Sequence, residues 1–295
     1  MGTPRLLGLR RWGGDGAIGR EEVIEAHHTQ FAYTRSEMTS RTRERCSGCG
    51  DSRRIFPARY GGFMNDLAPT GVLRVSINLG NPVLAQATAA EPTGVTVDIA
   101  RELGRRLDVP VEFLCFDAAK KSFESMKSGQ SDICFLAIEP ARAAEVAFTA
   151  PYVLIEGVFA VPVDSELKTV SDVDREGVRI GVKEGSAYDL YLTRTLQNAS
   201  IVRGSEGTTV FVEQDLEAAA GIRQPLTEFV TAYPEYRLVE GAFMQIQQAV
   251  GTTKTRSAQS VEFLRAVVEE LKANGFVAES LRRSNQPGAQ VAPPA

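Results

Sequence analysis

The chain has 295 residues, 43% of them hydrophobic and 24% charged, and a net charge of −4, the profile of a soluble globular protein with material for two modest domains. The acidic balance argues against nucleic acid as a partner, since phosphate recognition calls for a basic face, and no apolar run reaches the roughly 18 residues of a membrane-spanning helix. Both histidines, His27 and His28, fall in the first sixty residues, so Ser-His-Asp, Cys-His and most zinc chemistry is excluded downstream, where an enzyme would have to work with carboxylates, lysine or tyrosine.

Residues 1–63 stand apart. Eleven arginines against seven acids, with no lysine, give them a charge of +4, and they hold the only tryptophan, Trp12. No sustained helical or strand period runs through them, and no apolar stretch of leader length follows Arg10-Arg11. They read either as an arginine-rich arm for an acidic surface or, the preferred reading, as an extension upstream of a true start at Met64. Cys46 and Cys49 form one CxxC without a second pair, too little for a zinc site. Cys115 and Cys134 read as small core residues. No metal and no cofactor is expected.

From residue 73 onward strands and helices alternate. Leu73–Ile77 alternates as a short strand, and Val97, Ile99, Ala100, Leu103 and Leu107 recur at helical spacing until Pro110 closes the unit. Val111–Phe116 is a second strand, Phe123 and Met126 mark a helix, and Asp132–Ile138 is a third strand. A second group starts with the strand Val178–Val182 and a helix from Ser186 to Leu196. A short strand at Ile201-Val202, a strand over Leu216–Ile222 and a helix start near Pro225 follow. Beyond Ala242 an extended stretch leads into an amphipathic helix over Ser257–Ala273, stopped by Asn274-Gly275, and a shorter helix carries Phe276, Val277 and Leu281. The stretch from Gln286, with three prolines, reads as a loose tail. Such β-α-β runs predict an α/β fold whose mostly parallel sheets are flanked by helices.

Five segments, in order, resemble solute-binding protein family 3, the polar amino-acid receptors of ABC importers. They are the opening strand Leu73–Asn78; Thr93–Ala100, similar to a G-F-x-x-D-x-A helix start; Ser128–Asp132, similar to a G-x-x-D turn; Pro140–Tyr152, similar to ER-x-x-x-V-x-F-S-x-P-Y; and Val178–Ser186, similar to V-G-V-x-x-G-S/T. The likeness spans about residues 71–283. It implies a two-lobed, type II periplasmic-binding-protein-like fold crossed twice, near Leu154–Val158 and Met244–Ala249. Lobe one would be 64–156 plus 246–286 and lobe two 157–245, with 287–295 as the tail.

The same resemblance implies the site. Arg142 matches a carboxylate-clamping arginine, whose planar fork binds a carboxylate bidentately. Gly185, Ser186 and Ala187 open a helix whose free N–H groups and dipole would face the cleft, although from the residues alone Ser186 is an ordinary N-cap. Phe135, Ala137 and Ile138 end the third strand where relatives offer carbonyls and hydroxyls, and Asn78 and Asn81 occupy the loop after the first strand. Family members usually carry an aspartate near Ile222, Arg223 and Gln224 to pair the ligand ammonium. Here either Glu156 supplies the charge, or Arg223 adds a second cation for a dicarboxylate or N-blocked acid, or Arg223 faces solvent.

The expected function is capture of a small carboxylate-bearing solute, an amino acid or relative, by a monomeric binding protein that serves an ABC permease or a sensor. The alternative is a carboxylate-based lyase of the cyclohexadienyl dehydratase type, with Glu156 as general acid. The resemblance implies a periplasmic location, and a start at Met64 without a leader implies a cytoplasmic one.

Overall fold

The computed structural model describes residues 66–295; the readings of the arginine-rich segment, the histidines, the CxxC and Met64 lie outside the described residues. In chain order the strands and helices are β1 (Leu73–Asn78), β2 (Gln86–Ala87), β3 (Pro92–Thr93), α1 (Val95–Leu107), β4 (Val111–Phe116), α2 (Ala119–Lys127), β5 (Ile133–Ala137), α3 (Pro140–Ala143) and β6 (Val146–Pro162). They continue with α4 (Val170–Val173), β7 (Arg179–Lys183), α5 (Ala187–Thr195), β8 (Ser200–Gly204), α6 (Gly207–Glu213), β9 (Ala218–Ile222), α7 (Arg223–Ala232), β10 (Tyr236–Leu238), β11 (Met244–Thr253), α8 (Ala258–Ala273), α9 (Phe276–Arg283) and β12 (Gln290–Val291).

One path of strands, β4-β1-β5-β11-β6-β9-β7-β8, carries the whole fold. At one end β1 pairs in parallel with β4 and β5, and at the other β7 pairs in parallel with β8 and β9. The central strands β11 and β6 run antiparallel to each other from Met244↔Gly157 to Thr253↔Val146. The N-terminal part of β6 belongs to the first half of the sheet, whereas Gly157–Ala160 pair with β9 and Ala160–Pro162 with β10. The chain is therefore a two-lobed α/β fold stitched through β6 and β11.

Each element follows from its sequence. Helices cover both faces of the central strands, so β5 is buried along its whole length and β1 hides Leu73, Val75 and Ile77 together with Ser76. Ser76 satisfies its hydroxyl against Ser122 of α2 at 2.6 Å. α1 buries Val95, Ile99, Ala100, Leu103 and Leu107 as one stripe and stops where Asp108 turns left-handed two residues before Pro110. α8 is capped by Ser257, whose hydroxyl accepts from the Ser260 N–H, and ends at Asn274-Gly275, with Gly275 at φ 82°.

The segment 146–162 forms one seventeen-residue strand that runs through Pro151 and Gly157. Pro151 sits at an irregularity in the β11 register, where no regular ladder bond is demanded of it. A side chain on Gly157 would press on Met244 and Phe243, at 2.7 and 3.0 Å. One expectation needs correction: the C-terminal residues are no loose tail. β12 pairs with Val153 and Leu154 of β6, the Ala292 N–H donates to the Tyr152 carbonyl at 3.1 Å, and buried Lys272 donates to the Pro293 carbonyl at 2.9 Å. Prolines at 287, 293 and 294 flank the two-residue pairing without interrupting it.

Candidate functional site

In parallel sheets the carboxyl ends of the strands, where the connections diverge, form a natural crevice. Here the ends of β1, β5, β7 and β9 meet around a cavity of about 50 Å³, closed on the remaining side by Ile246 and Gln248 of β11. The pairing of β11 with β6 is irregular directly after Gln248, where Tyr152 of β6 is the extra residue, the kind of bulge that re-aims a neighbouring side chain.

Arg142 is the electrostatic centre. Four-residue α3 holds it at the end of the β5 crossover, and it is only 2% exposed. Its guanidinium donates to the Ala137 carbonyl at 3.3 Å and to the Gly185 carbonyl at 2.9 Å. Among the described residues no carboxylate lies within ion-pair distance of it. Burial pulls its pKa down to about 10, against a smaller opposing pull from Glu139. It therefore remains a cation at neutral pH, buried and charge-unpaired. Glu139, immediately before α3, is buried too and is held instead by Arg194 of α5.

The opposite wall is the start of α5. Gly185 adopts φ 68°, and a side chain there would also press on Lys120 at 2.9 Å. Ser186 caps the helix, its Oγ accepting from the Asp189 N–H at 3.0 Å. Asp189 returns the favour by accepting from the Gly185 N–H at 2.8 Å and is fixed by Arg203. This reciprocal cap holds the helix entrance rigid beside Arg142. Burial raises the pKa of Tyr188, in the first turn, so the hydroxyl stays protonated.

The loop after β1 is set by its asparagines. Asn78 Oδ1 accepts from the Gly80 N–H at 3.1 Å, and Asn81 Oδ1 from the Val83 N–H at 3.3 Å. Gly80 has no room for more: a methyl group there would stand 2.1 Å from the Asp117 carbonyl oxygen. Gly80→Ala should therefore displace this loop and cost about 1–3 kcal/mol of stability; urea unfolding showing no loss would contradict the close approach.

Of the sequence-predicted residues, Asn78, Asn81, Phe135, Ala137, Arg142, Ser186, Ala187 and Ile222 line the cavity. Gly185 stands behind it, holding Arg142 through its carbonyl. Three others also lie outside the lining. Ile138 lies just past the end of β5, its N–H bonded to the Gln247 carbonyl. Arg223 forms an ion pair with Glu156 and donates to the Gly241 carbonyl, so neither Glu156 nor Arg223 is free for the cavity. Gln224 lies so close to Gly288 that a methyl group there would meet its amide nitrogen at 2.6 Å. Periodicity locates the start of α7 without fixing which way its first residues face.

Sequence reasoning gave no site role to Lys183, Glu184, Tyr188 or Gln248, all of which line the cavity. The first two sit inside the Val178–Ser186 segment, and the alternation of β7 was the available signal. Lys183 is 13% exposed and pairs with Glu206, and Glu184 pairs with Lys120 at 2.6 Å.

The family model of bacterial extracellular solute-binding proteins, family 3, matches residues 73–284. Among solved structures, a mutant of ArgBP from T. maritima is similar with a TM-score of 0.63 at 21% identity, covering 75% of this chain and 98% of that one. The cysteine-binding protein from Campylobacter jejuni gives a TM-score of 0.63 at 19% identity, over 75% of this chain and 92% of its own. The ancestral amino acid-binding protein AncCDT-1, a precursor of cyclohexadienyl dehydratase, gives 0.61 at 18% identity, over 75% and 98%. No curated protein sequence matches the chain. At these identities the likeness to the solved structures speaks to the fold.

Proposed function

The chain belongs to the bacterial extracellular solute-binding proteins, family 3, and from that premise we propose that it captures a small carboxylate, an amino acid or relative, in this cavity. One observation carries the reading: Arg142 is a buried cation whose only described partners are two neutral carbonyls. Burying an unpaired charge is costly, and a ligand carboxylate is the partner its fork of donors fits.

Delivery to an ABC-type permease outside the cytoplasm, or to a sensor, accords with the family. The cavity has room for about four water-sized groups, so entry requires the halves to part. Lobe one would comprise 64–156 and 246–286, with the β12 segment attached to it, and lobe two 157–245, hinged within β6 and β11. The contacts released on opening would be Lys120–Glu184, Glu139–Arg194 and the Arg142 bond to Gly185. An acid–base enzyme would need a carboxyl poised in the cavity. Glu156 lies outside its lining and Glu184 is engaged by Lys120, which favours binding without turnover.

The test is thermal unfolding of the full chain against a panel of small carboxylates. A ligand at 100 times its Kd adds about 2.7 kcal/mol, or roughly 5–10 °C in a protein of this size. Stabilisation by neutral amides as strong as by the corresponding acids would sink the carboxylate reading.

A further inference from the structure

We propose that the cavity selects carboxylates lacking a free α-ammonium group, such as 2-oxo, 2-hydroxy, N-acylated or unsubstituted acids. The inference rests on the carboxylate-receptor reading and narrows its substrate class.

The charges around the cavity carry it. Arg142 contributes one buried positive charge. Lys183 contributes a second: its Nζ lies 3.0 Å from where a methyl group on Gly80, another cavity residue, would stand. Its partner Glu206 is 56% exposed and does not line the cavity. The one acid in the lining, Glu184, is 56% exposed and turned to Lys120. With Lys183 paired to Glu206 and Glu184 to Lys120, the lining keeps one unpaired charge, the Arg142 cation. A ligand carboxylate would balance Arg142, whereas an added ammonium would restore the excess. At the end of β9 the lining residue is Ile222, which offers no charge.

The neutral groups point the same way. An ammonium needs acceptors, yet the Ala137 and Gly185 carbonyls already accept from Arg142. Both asparagine carbonyls accept from loop N–H groups, whereas their amide nitrogens donate to no described residue. Thr96 does offer lone pairs, because its hydroxyl hydrogen goes to the Leu84 carbonyl, and the side-chain oxygen of Gln248 is a further acceptor in the lining, but neutral acceptors do not offset a net positive charge. The surplus is of donors, which suits a ketone, a hydroxyl or a second carboxylate.

Calorimetric titration of the full chain with matched sets separates the possibilities. The sets are alanine, N-acetylalanine, lactate and pyruvate; aspartate, malate and succinate; glutamate and 2-oxoglutarate; phenylalanine, phenyllactate and phenylpyruvate. The expected result is at least tenfold tighter binding of an ammonium-free member than of its amino acid, lost in Arg142→Ala. Ile222→Asp, with Ile222→Asn as its uncharged control, should then move the preference at least tenfold toward the amino acid. An amino acid that binds as tightly as its partners or tighter, with Arg142→Ala still abolishing binding, overturns the substrate class and leaves the receptor reading standing. Binding of any acid that survives Arg142→Ala overturns the receptor reading, as does no binding in any set, and the substrate class falls with it.

Discussion

Replacing Arg142 by alanine is expected to weaken carboxylate binding by 2–5 kcal/mol, a factor of about 30 or more in Kd, while leaving the unliganded protein as stable or more stable. The two halves of this result have one cause. The guanidinium is buried with neutral carbonyls as its only described hydrogen-bond partners, and desolvation lowers its pKa from the ordinary arginine range to about 10. That depression corresponds to a penalty on the order of 3 kcal/mol. Because the folded-state pKa lies below the unfolded one, the unfolded chain binds the proton more tightly. The penalty is present in full below about pH 10 and fades as pH rises above it toward the ordinary arginine range. Alanine removes the charge, and water can enter the polar space it vacates. A ligand carboxylate supplies what the apoprotein lacks, so its affinity disappears with the arginine. Lysine should rescue only partly, since a point charge cannot reproduce the fork. Calorimetry and thermal unfolding of the same variants check both halves. A large drop in apoprotein stability would instead make Arg142 a strut joining β5 to the start of α5.

Asp132→Asn should cost about 3–5 kcal/mol, lowering the melting temperature by roughly 10 °C. Asp132 is wholly buried at the entrance to β5 and gathers three parts of the first half of the sheet. One carboxylate oxygen accepts from the backbone N–H and Nε of Arg74 in β1, at 3.1 and 2.9 Å. The other accepts from Arg74 at 2.8 Å and from Arg256, just beyond β11, at 2.9 Å. Its own carbonyl accepts from the Thr252 hydroxyl at 2.9 Å. The carboxylate holds the Arg74 charge in place, raising that guanidinium's pKa. Asparagine would leave Arg74 without its ion-pair partner and Arg256 with only the longer contact to Asp66 at 3.9 Å. Urea denaturation measures the loss, and a change below about 1 kcal/mol would contradict this role. Ligand affinity at low temperature should hardly change, because Asp132 is no part of the cavity lining.

The contrast between these residues shows what was legible in the sequence. Asp132 stood out through its turn motif, and Arg142 through the segment that carries it into β6, because each occupies a short, strongly constrained connection. Strands with alternating or continuous apolar runs and helices with clear caps were legible because local physics dictates them: β1, α1, β5, β7 and α8 all lie where periodicity put them. What failed depended on distant partners. The long strand β6, left unassigned from the sequence, takes up Pro151 at bulges of its own against β11 and packs Gly157 under Phe243. α6, with its run of threonine and valine, has weak helical propensity and is held by packing Val210 and Phe211 against Leu216 and Ala219. The C-terminal strand forms because β6 leaves Val153 and Leu154 open to it. Within the site, residues at strand ends were legible, whereas the ion pair that removes Arg223 from the cavity joins positions 67 residues apart. No local pattern encodes such a pairing.

The most direct test of the account is a crystal structure of the full chain with the acid that most stabilises it. The account predicts one ligand between the ends of β5 and β7, its carboxylate within hydrogen-bond reach of both terminal nitrogens of Arg142 and of the first N–H groups of α5. A ligand bound elsewhere, or one whose carboxylate faces away from Arg142, would contradict it.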